Sequence, residues 1–509
     1  MGRINRANLK KTIYYMKRNG IRRTWYAVLE RLEERKLSPY VWMPPTDAEL
    51  QAQRVRWERE GLSATFSVIV PAYRTKTEYL MELVESLRGQ TYPRWELILA
   101  DATEDASVEQ VLRRILETRI RYVRLERNAG IAENTNQALP YATGDYVGLL
   151  DHDDILTPDA LYEMAATIRR AEEKGVEPAF LYSDEDKCNG DRTEYFEPHW
   201  KEDFNFDLLL SNNYVCHFLV MKRELMQKLE FRSEYDGAQD FDLVLRAVAG
   251  LKGREEAILH IPKVLYHWRC HPGSTAENPE SKRHAYEAGR RAVQDFADSQ
   301  GWEAEAVDTA HVGFYALRYE GNPLVSGNPL VSGNPLASGT PLVSGSPAAS
   351  ERSFAGGSIF DSRTDVGAIA GRIVQSGRVA GGRLAEAGEH VSASLPGTEG
   401  NGTGPVQAGE ALYRDLPIHY SGYLHRAVLP QDAGAADIRN IRVRPECREL
   451  FRQVTGVPYR TVTGTDRFDA STLPEGSDIR KISLELGRAL REAGYRILYL
   501  PEKSNDVEI

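Results

Sequence analysis

The chain has 509 residues, 41% of them hydrophobic, with 64 Lys or Arg against 74 Asp or Glu and a formal net charge of −10. That length accommodates two or three domains with real cores. No run reaches the ~18 apolar residues of a membrane span and no signal-peptide apolar region opens the chain. Cys188, Cys216, Cys270 and Cys447 lack C-x-x-C spacing, so the expectation is a cytoplasmic protein with reduced thiols and neither a disulfide frame nor a zinc site.

Residues 1–40 carry eleven Lys or Arg against three Glu, interleaved with Ile13, Tyr14, Tyr15, Trp25 and Tyr26. Such a basic helix either lies on an anionic membrane surface or packs, solvated, on the main domain. No nucleic-acid-binding motif accompanies it, so nucleic acid is not expected as a partner. Residues 1–62 are read as a basic helical N-terminal extension.

From Phe66 to Asp184 strand and helix patterns alternate. Strands are expected at Phe66–Pro71, Trp95–Ala100, Ile120–Leu125, over Tyr146–Leu150 and from Phe180. Helices are expected at Tyr79–Leu87, Val108–Leu116, Ile131–Ala142 and from Pro158 to Lys174. This alternation predicts a parallel α/β sheet covered on both faces. The G-x-G-x-x-G fingerprint is absent after the first strand, which argues against a dinucleotide-binding domain. The same domain is expected to run over 63–318, including an apolar helix opened by Asp240 and Asp242 and a strand over Val264–His271.

At Gly321 the character changes. Five six-residue units follow, each carrying a proline, and a Gly/Ser/Ala-rich stretch continues beyond them. Residues 319–408 are read as a flexible linker. Residues 409–509 regain globular character and end in a helix that turns at Gly494 into a strand.

Leu149-Leu150-Asp151-His152-Asp153-Asp154 holds the chemistry: an apolar strand running into carboxylates. Asp151 and Asp153, two apart around a turn, suit one hard cation such as Mn²⁺ or Mg²⁺ with positions left for phosphate oxygens. A capped strand-to-helix corner fits the same six residues. Asp101 and Asp184 close two further strands on the same sheet edge. Such a row suits a ligand that brings its own charge with a metal, namely a nucleoside diphosphate.

The ordered set Ser67-Val-Ile-Val-Pro-Ala-Tyr73, Ala100-Asp101-Ala102, Asn128-Ala-Gly130, Gly144-Asp-Tyr146 and Leu150-Asp-His-Asp-Asp154 resembles a family 2 glycosyltransferase of the GT-A fold. Ser183-Asp-Glu-Asp-Lys187, Ser211–His217, Gly237-Ala-Gln-Asp240 and His267–Thr275 resemble the bacterial enzymes that build O-antigen and related surface polysaccharides. The likeness covers about residues 10–318. It implies a GT-A, Rossmann-like nucleotide-sugar domain, and residues 409–509 resemble the later part of a second such module, degenerate and without its own D-x-D corner.

The resemblance assigns roles. Pro71, Tyr73 and Asp101 would hold the nucleoside, Asp151 the ribose or metal, and Asp153 the metal through the diphosphate, with His271 as a further ligand. Arg74 stands where Asn is common. Asp240 is the expected general base of an inverting transfer, charge-stabilised at a helix N-terminus, with Gln239 beside it for donor or acceptor hydroxyls. Asp242 faces differently. Asp184, Glu185, Asp186 and Trp268 are candidates for the acceptor groove, against the plainer readings of a solvated turn and a core tryptophan.

Together these imply a metal-dependent glycosyltransferase that takes a nucleotide-sugar donor and a glycan or lipid-linked glycan acceptor, peripheral at the cytoplasmic membrane through residues 1–40. Two other readings use the same fold or metal: a non-catalytic glycan- or nucleotide-sugar-binding scaffold, and a nucleotidyltransferase. The first has no need of Asp240, and the second expects a Gly- and Lys-rich loop that is absent after Pro71.

Overall fold

The computed structural model describes residues 6–34, 40–271, 283–319, 357–386, 390–391, 404–405, 407–463 and 465–506. The chain divides into two compact units. One holds Pro39–Phe204 with Asn213–Ala292, the other Met1–Ser38, Asn205–Asn212 and Val293–Ile509.

The first unit is built on a nine-stranded sheet. Its strands are β1 (Phe66–Ala72), β2 (Trp95–Asp101), β3 (Ile120–Arg124), β4 (Tyr146–Leu149), β5 (Ile155–Leu156), β6 (Phe180–Asn189), β7 (Tyr195–His199), β8 (Leu219–Lys222) and β9 (Ile258–Cys270). They run in the order β3-β2-β1-β4-β8-β6-β9-β5, with β7 against β6. β1 explains the layout: Val68, Ile69 and Val70 are fully buried, so neither face of the strand meets water. A strand of this kind reads as a continuous apolar run, and burying each such side chain contributes about 1.5–3 kcal/mol.

The expected parallel sheet is present only in part. β3, β2, β1 and β4 are mutually parallel, but β8 enters antiparallel between β4 and β6. Leu219–Lys222 is too short for its pattern to announce a strand. The expected helices are present within a few residues: Thr77–Arg88, Ser107–Leu112, Ile131–Ala138 and Ala160–Glu172.

The glycine of Gly144-Asp-Tyr146 has a packing reason. A Cβ there would lie 2.7 Å from the Ser67 nitrogen and 2.9 Å from the Thr65 carbonyl oxygen, both backbone atoms. Its N–H donates to Ser67 Oγ at 2.9 Å, locking the start of β4 against β1.

The second unit corrects one expectation. Residues 320–356 lie outside the described residues, and the linker reading there is untouched. Gly357–Ser362, however, is a helix, and Val366–Gln375 is a strand paired with Arg496–Asp506, Arg378–Gly381 and Ile441–Val443. Val366, Ala368 and Ile373 are fully buried. Its small residues made this stretch look like linker; a Cβ on Gly367 would lie 2.6 Å from Tyr495 Cβ. That strand runs out at Gln375-Ser376-Gly377 and carries no D-x-D corner. The closing helix Ile479–Glu492 turns at Gly494 (φ 82°) into Arg496–Asp506, as expected.

The N-terminal extension is not one piece. Asp47–Arg56 is a helix of the first unit, with a Thr46–Glu49 capping box. Arg6–Glu34 belongs to the second unit and breaks at Gly20, whose φ of 80° suits a residue without a side chain. Arg18 and Asn19 donate to the carbonyls of Thr309 and Ala310, and Glu30 accepts from Ser421 Oγ and Gly422 N.

Candidate active site

β1 lies between β2 and β4, so the direction of the strand crossovers reverses there. Pairing with β4 stops at Ile69 and Leu149, whereas pairing with β2 continues to Ala72 and Asp101. A crevice opens between the carboxyl ends of β1 and β4, the position where open α/β sheets take ligands. Pro71 sits past the last β4 partner, where a missing N–H leaves no β4 bond unmade.

Asp101 closes β2 and is fully buried. One oxygen accepts from the Thr103 backbone N–H at 2.9 Å, and the other from the Tyr122 hydroxyl at 2.8 Å and Arg124 at 3.3 Å. A base or ribose contact at Asp101 therefore requires Tyr122 or Arg124 to turn. Neither was singled out in the sequence, since both lie at the end of a half-buried edge strand. The Tyr73 hydroxyl donates to Glu104 at 2.9 Å, and Arg74 pairs with the same carboxylate at 2.8 Å. Arg74 has φ 51°, the left-handed conformation that Asn tolerates well, which accounts for Asn being common at this place.

At the end of β4 the chain makes a tight turn, with Asp154 N–H donating to the Asp151 carbonyl at 3.1 Å. The four residues divide by role. Asp154 is buried and structural: it accepts from the Tyr266 hydroxyl at 2.5 Å and the Arg269 N–H at 2.7 Å. Burial, then the charges of Asp153 and Asp151, push its pKa well up. Arg269, also fully buried, donates to the Asp153 carbonyl at 2.6 Å and pairs with Glu82, so the corner is held from beneath.

Asp151 and Asp153 keep part of their side chains open to solvent. Asp153 Oδ2 lies 2.9 Å from His271 Nε2. Asp151 keeps 42% of its side chain open, yet its packed surroundings push its pKa up, opposed by His217 and reinforced by Asp153 and Asp240. With that opening to water, the like charges are the part of the shift that a bound cation would relieve. A carboxylate and an imidazole this close are donor types that Mn²⁺ accepts more readily than Mg²⁺ does. Among the described residues no group of three or more His, Cys, Asp or Glu forms a ready-made cage.

Asp240 opens the helix Gln239–Leu251 and is close enough to act on Asp151 electrostatically. Its Oδ2 accepts from Asn213 Nδ2 at 2.9 Å, and the Cys216 thiol donates to it. Burial, then the Asp240 charge, push that thiol's pKa up, so it stays a neutral donor. Gln239 does not reach outward: its Oε1 accepts from the Gly237 N–H at 2.8 Å. Asp242 is buried and holds Arg232 and Arg246, in keeping with its different facing.

The acceptor candidates separate. Asp184 is fully buried, accepting from the Lys201 N–H and sitting 2.9 Å from His260 Nε2, so it cannot touch an acceptor. The sequence reading puts it at a strand end, but β6 runs on past it to Asn189, so Asp184 lies within the strand and is covered. Asp186 is likewise buried against Tyr40 and His267. Glu185 lies between His199 and His217, 3.0 Å from each Nδ1. Burial opposes its charge, but Lys201 and the two histidines hold its pKa well below the usual range. His217, missed in the sequence, is raised to about 9: burial opposes its charge, and Glu185 and Asp151 outweigh that. Trp268 is half-buried, 5.7 Å from the His217 ring, with the Lys187 ammonium over its face at 5.4 Å.

Residues 67–230 match the family model described as "Glycosyl transferase family 2". An uncharacterized protein, y4gI, of Sinorhizobium fredii is 39% identical over 51% of this chain and 29% of its own length. The O-antigen biosynthesis protein RfbC of Myxococcus xanthus is 35% identical over 51% of this chain and 20% of its own. The match thus spans less than a third of either relative. The S. aureus TarS structure with UDP aligns over 46% of this chain and 65% of that one, at 20% identity and a TM-score of 0.35. The segment that carries the β1/β4 crevice and its carboxylate corner, residues 67–230, is thus similar to a glycosyl transferase family 2 domain.

Proposed function

We propose that this chain is a metal-dependent, inverting glycosyltransferase that moves a sugar from a nucleotide-sugar donor to a hydroxyl of a surface polysaccharide. What supports the reading is the 2.9 Å approach of Asp153 to His271 at the end of β4, together with the charges of Asp153 and Asp240 acting on Asp151. The matched part of RfbC, named for O-antigen biosynthesis, supports the product class.

Pro71, Tyr73 and Asp101 would border the nucleoside. Asp153 and His271, with Asp151, would hold a divalent cation that draws its remaining ligands from the donor phosphates. When bound, such a cation neutralises charge on the diphosphate leaving group. Asp240 takes the proton of the acceptor hydroxyl while the nucleotide departs from the opposite face of the sugar. Asn213 Oδ1 is buried beside Asp240 without a partner among the described residues, ready to accept from the acceptor. Trp268, with Lys187 over its ring, offers a stacking face for a sugar. In this reading the second unit is a remnant that performs no transfer of its own.

The test is hydrolysis of a panel of UDP-, GDP- and dTDP-sugars by the full chain with Mn²⁺. One donor is expected to be consumed at least tenfold faster than the rest, with loss under EDTA. Inertness toward every donor and acceptor glycan would instead favour a binding scaffold.

Membrane attachment is part of the same proposal. Among the described residues no helix is long and apolar enough to cross a membrane. The helix after Gly20 nevertheless shows solvent an apolar stripe, Ile21, Trp25, Val28 and Leu32, with Ile21 78% and Trp25 61% exposed. The spacing is that of one helical face, and Lys17, Arg22 and Arg31 neighbour it. Ile21→Asp with Trp25→Asp is expected to cut co-sedimentation with vesicles rich in phosphatidylglycerol severalfold. Unchanged co-sedimentation would remove this stripe as the contact.

A further inference from the structure

A cavity of about 370 Å³ opens in the first unit, lined from the helix Thr77–Arg88, from β5, β7 and β9, and by Trp42. Trp42, Met81, Ile155, Leu156 and Tyr195 give it apolar and aromatic walls. Its volume falls within the range of small-ligand sites, and none of Asp151, Asp153 and Asp240 lines it. One side chain ties it to the carboxylate corner: Arg269 pairs with Glu82 of the cavity wall at 2.6 Å and donates to the Asp153 carbonyl.

His267 of β9 lines this cavity and is only 1% exposed. Its Nδ1 is committed to Asp186, 2.5 Å away, which also accepts from the Tyr40 hydroxyl at 2.8 Å. Its Nε2 is buried and has no hydrogen-bond partner among the described residues. Trp42 and Tyr195 pack against the imidazole, with centroids 4.4 and 4.6 Å away, without supplying one. Buried polar atoms are as a rule satisfied, so this nitrogen marks a missing partner. The charged groups of the wall are by contrast paired. Glu82 holds Arg192 at 3.2 Å as well as Arg269, and Glu85 holds Arg88 at 2.6 Å.

These features select among ligands. An ionic ligand would have to break one of those pairs, and an aliphatic chain would leave Nε2 unsatisfied. A neutral, hydroxylated ring meets both conditions. Its C–H face lies on an aromatic wall, and a hydroxyl bonds Nε2 in either proton state of that nitrogen, because a hydroxyl both donates and accepts. We propose that this cavity is a carbohydrate-binding subsite, separate from the transfer site, that holds one neutral sugar residue of a glycan through Trp42 and His267. It does not rest on the transferase reading, since a binding scaffold of the same fold would present the same cavity.

Saturation-transfer NMR of the full chain in EDTA, without nucleotide, tests it with the methyl glycosides of glucose, galactose, mannose and N-acetylglucosamine. At least one glycoside is expected to bind saturably, and roughly fivefold more weakly in Trp42→Leu and in His267→Asn. Trp42→Leu keeps an apolar side chain but removes the ring, whereas His267→Asn keeps an N–H for Asp186 and deletes Nε2. Trp42 lies in an irregular, half-buried segment, so its variant carries the test alone if His267→Asn does not fold. Asp153→Ala is expected to bind the glycoside as the wild type does. Absence of binding by every glycoside overturns the proposal, as does wild-type affinity in either folded cavity variant. An equal loss in Asp153→Ala would move the sugar to the transfer site. Cyclohexanol binding as tightly as the best glycoside would reduce the cavity to a plain apolar pocket, and either result overturns the subsite.

Discussion

Asp240→Asn is expected to lower the rate of sugar transfer by roughly 10²–10⁴-fold while leaving donor binding intact. The substitution keeps the shape and the contact with Asn213, which sits 2.9 Å away, but removes the basic oxygen. It also removes a negative charge that acts on Asp151, so an anionic donor should bind as well as before or slightly better. Single-turnover transfer and donor calorimetry on the same preparation separate the two effects. A variant that transfers at the wild-type rate would take the base role away from Asp240. Loss of both transfer and donor binding would place Asp240 in the donor pocket instead.

How far the sequence announces this site depends on the distance over which each residue acts. The β1 run and the Asp151–Asp154 corner are local patterns: an apolar strand and a turn of acids identify themselves, and their positions at one sheet edge follow from the alternation of elements. His271 and Asp240 are read from motifs more than eighty residues away in the chain; His271 lies 2.9 Å from Asp153, and Asp240 acts on Asp151 through its charge. Asp184 shows the limit. Its position at the end of an apolar run is the same signal that marks Asp151, but β6 continues past it, and only the pairing with β9 reveals that Asp184 is enclosed. Asp154 is the counterpart within the corner itself. Nothing in four consecutive polar residues says that the last one turns inward to hold Tyr266 and the Arg269 backbone.

The second unit was the least legible, for a compositional reason. Val366–Gln375 is a buried central strand in which Gly367, Ala368, Ala370 and Gly371 interrupt the larger apolar residues, and Gly367 lets Tyr495 approach closely. Helices and strands are read from the periodicity of large apolar side chains, so a strand packed by small ones blends into a Gly-rich neighbourhood. The basic helix of residues 6–34 misled in another way. Its charge was visible, but charge alone does not say which arginines face solvent and which face a cavity. The structure sorts them: Arg22 and Arg23 line a cavity of the second unit, and an apolar stripe occupies the opposite side.

Asp153→Ala is expected to remove metal-dependent donor binding and to lower transfer by roughly 10²–10³-fold, a loss of several kcal/mol of charge stabilisation at the leaving diphosphate. Asp153 is the better probe of the corner than Asp151 for a geometric reason. Its carboxylate already lies 2.9 Å from His271, and Arg269 holds its carbonyl, so removing the side chain deletes a donor atom without releasing the turn. Asp154 would be a poor choice, since its loss strands the Tyr266 hydroxyl and the Arg269 N–H in the core. Titrating donor into the variant and the wild type, each with Mn²⁺ and with EDTA, reads the effect directly. The wild type should lose affinity when the metal is removed, and the variant should show the same weak affinity in both conditions. His271→Ala should fall between the two, because it leaves both carboxylates of the corner in place. A metal-dependent increase in donor affinity that survives in Asp153→Ala would move the cation away from this corner.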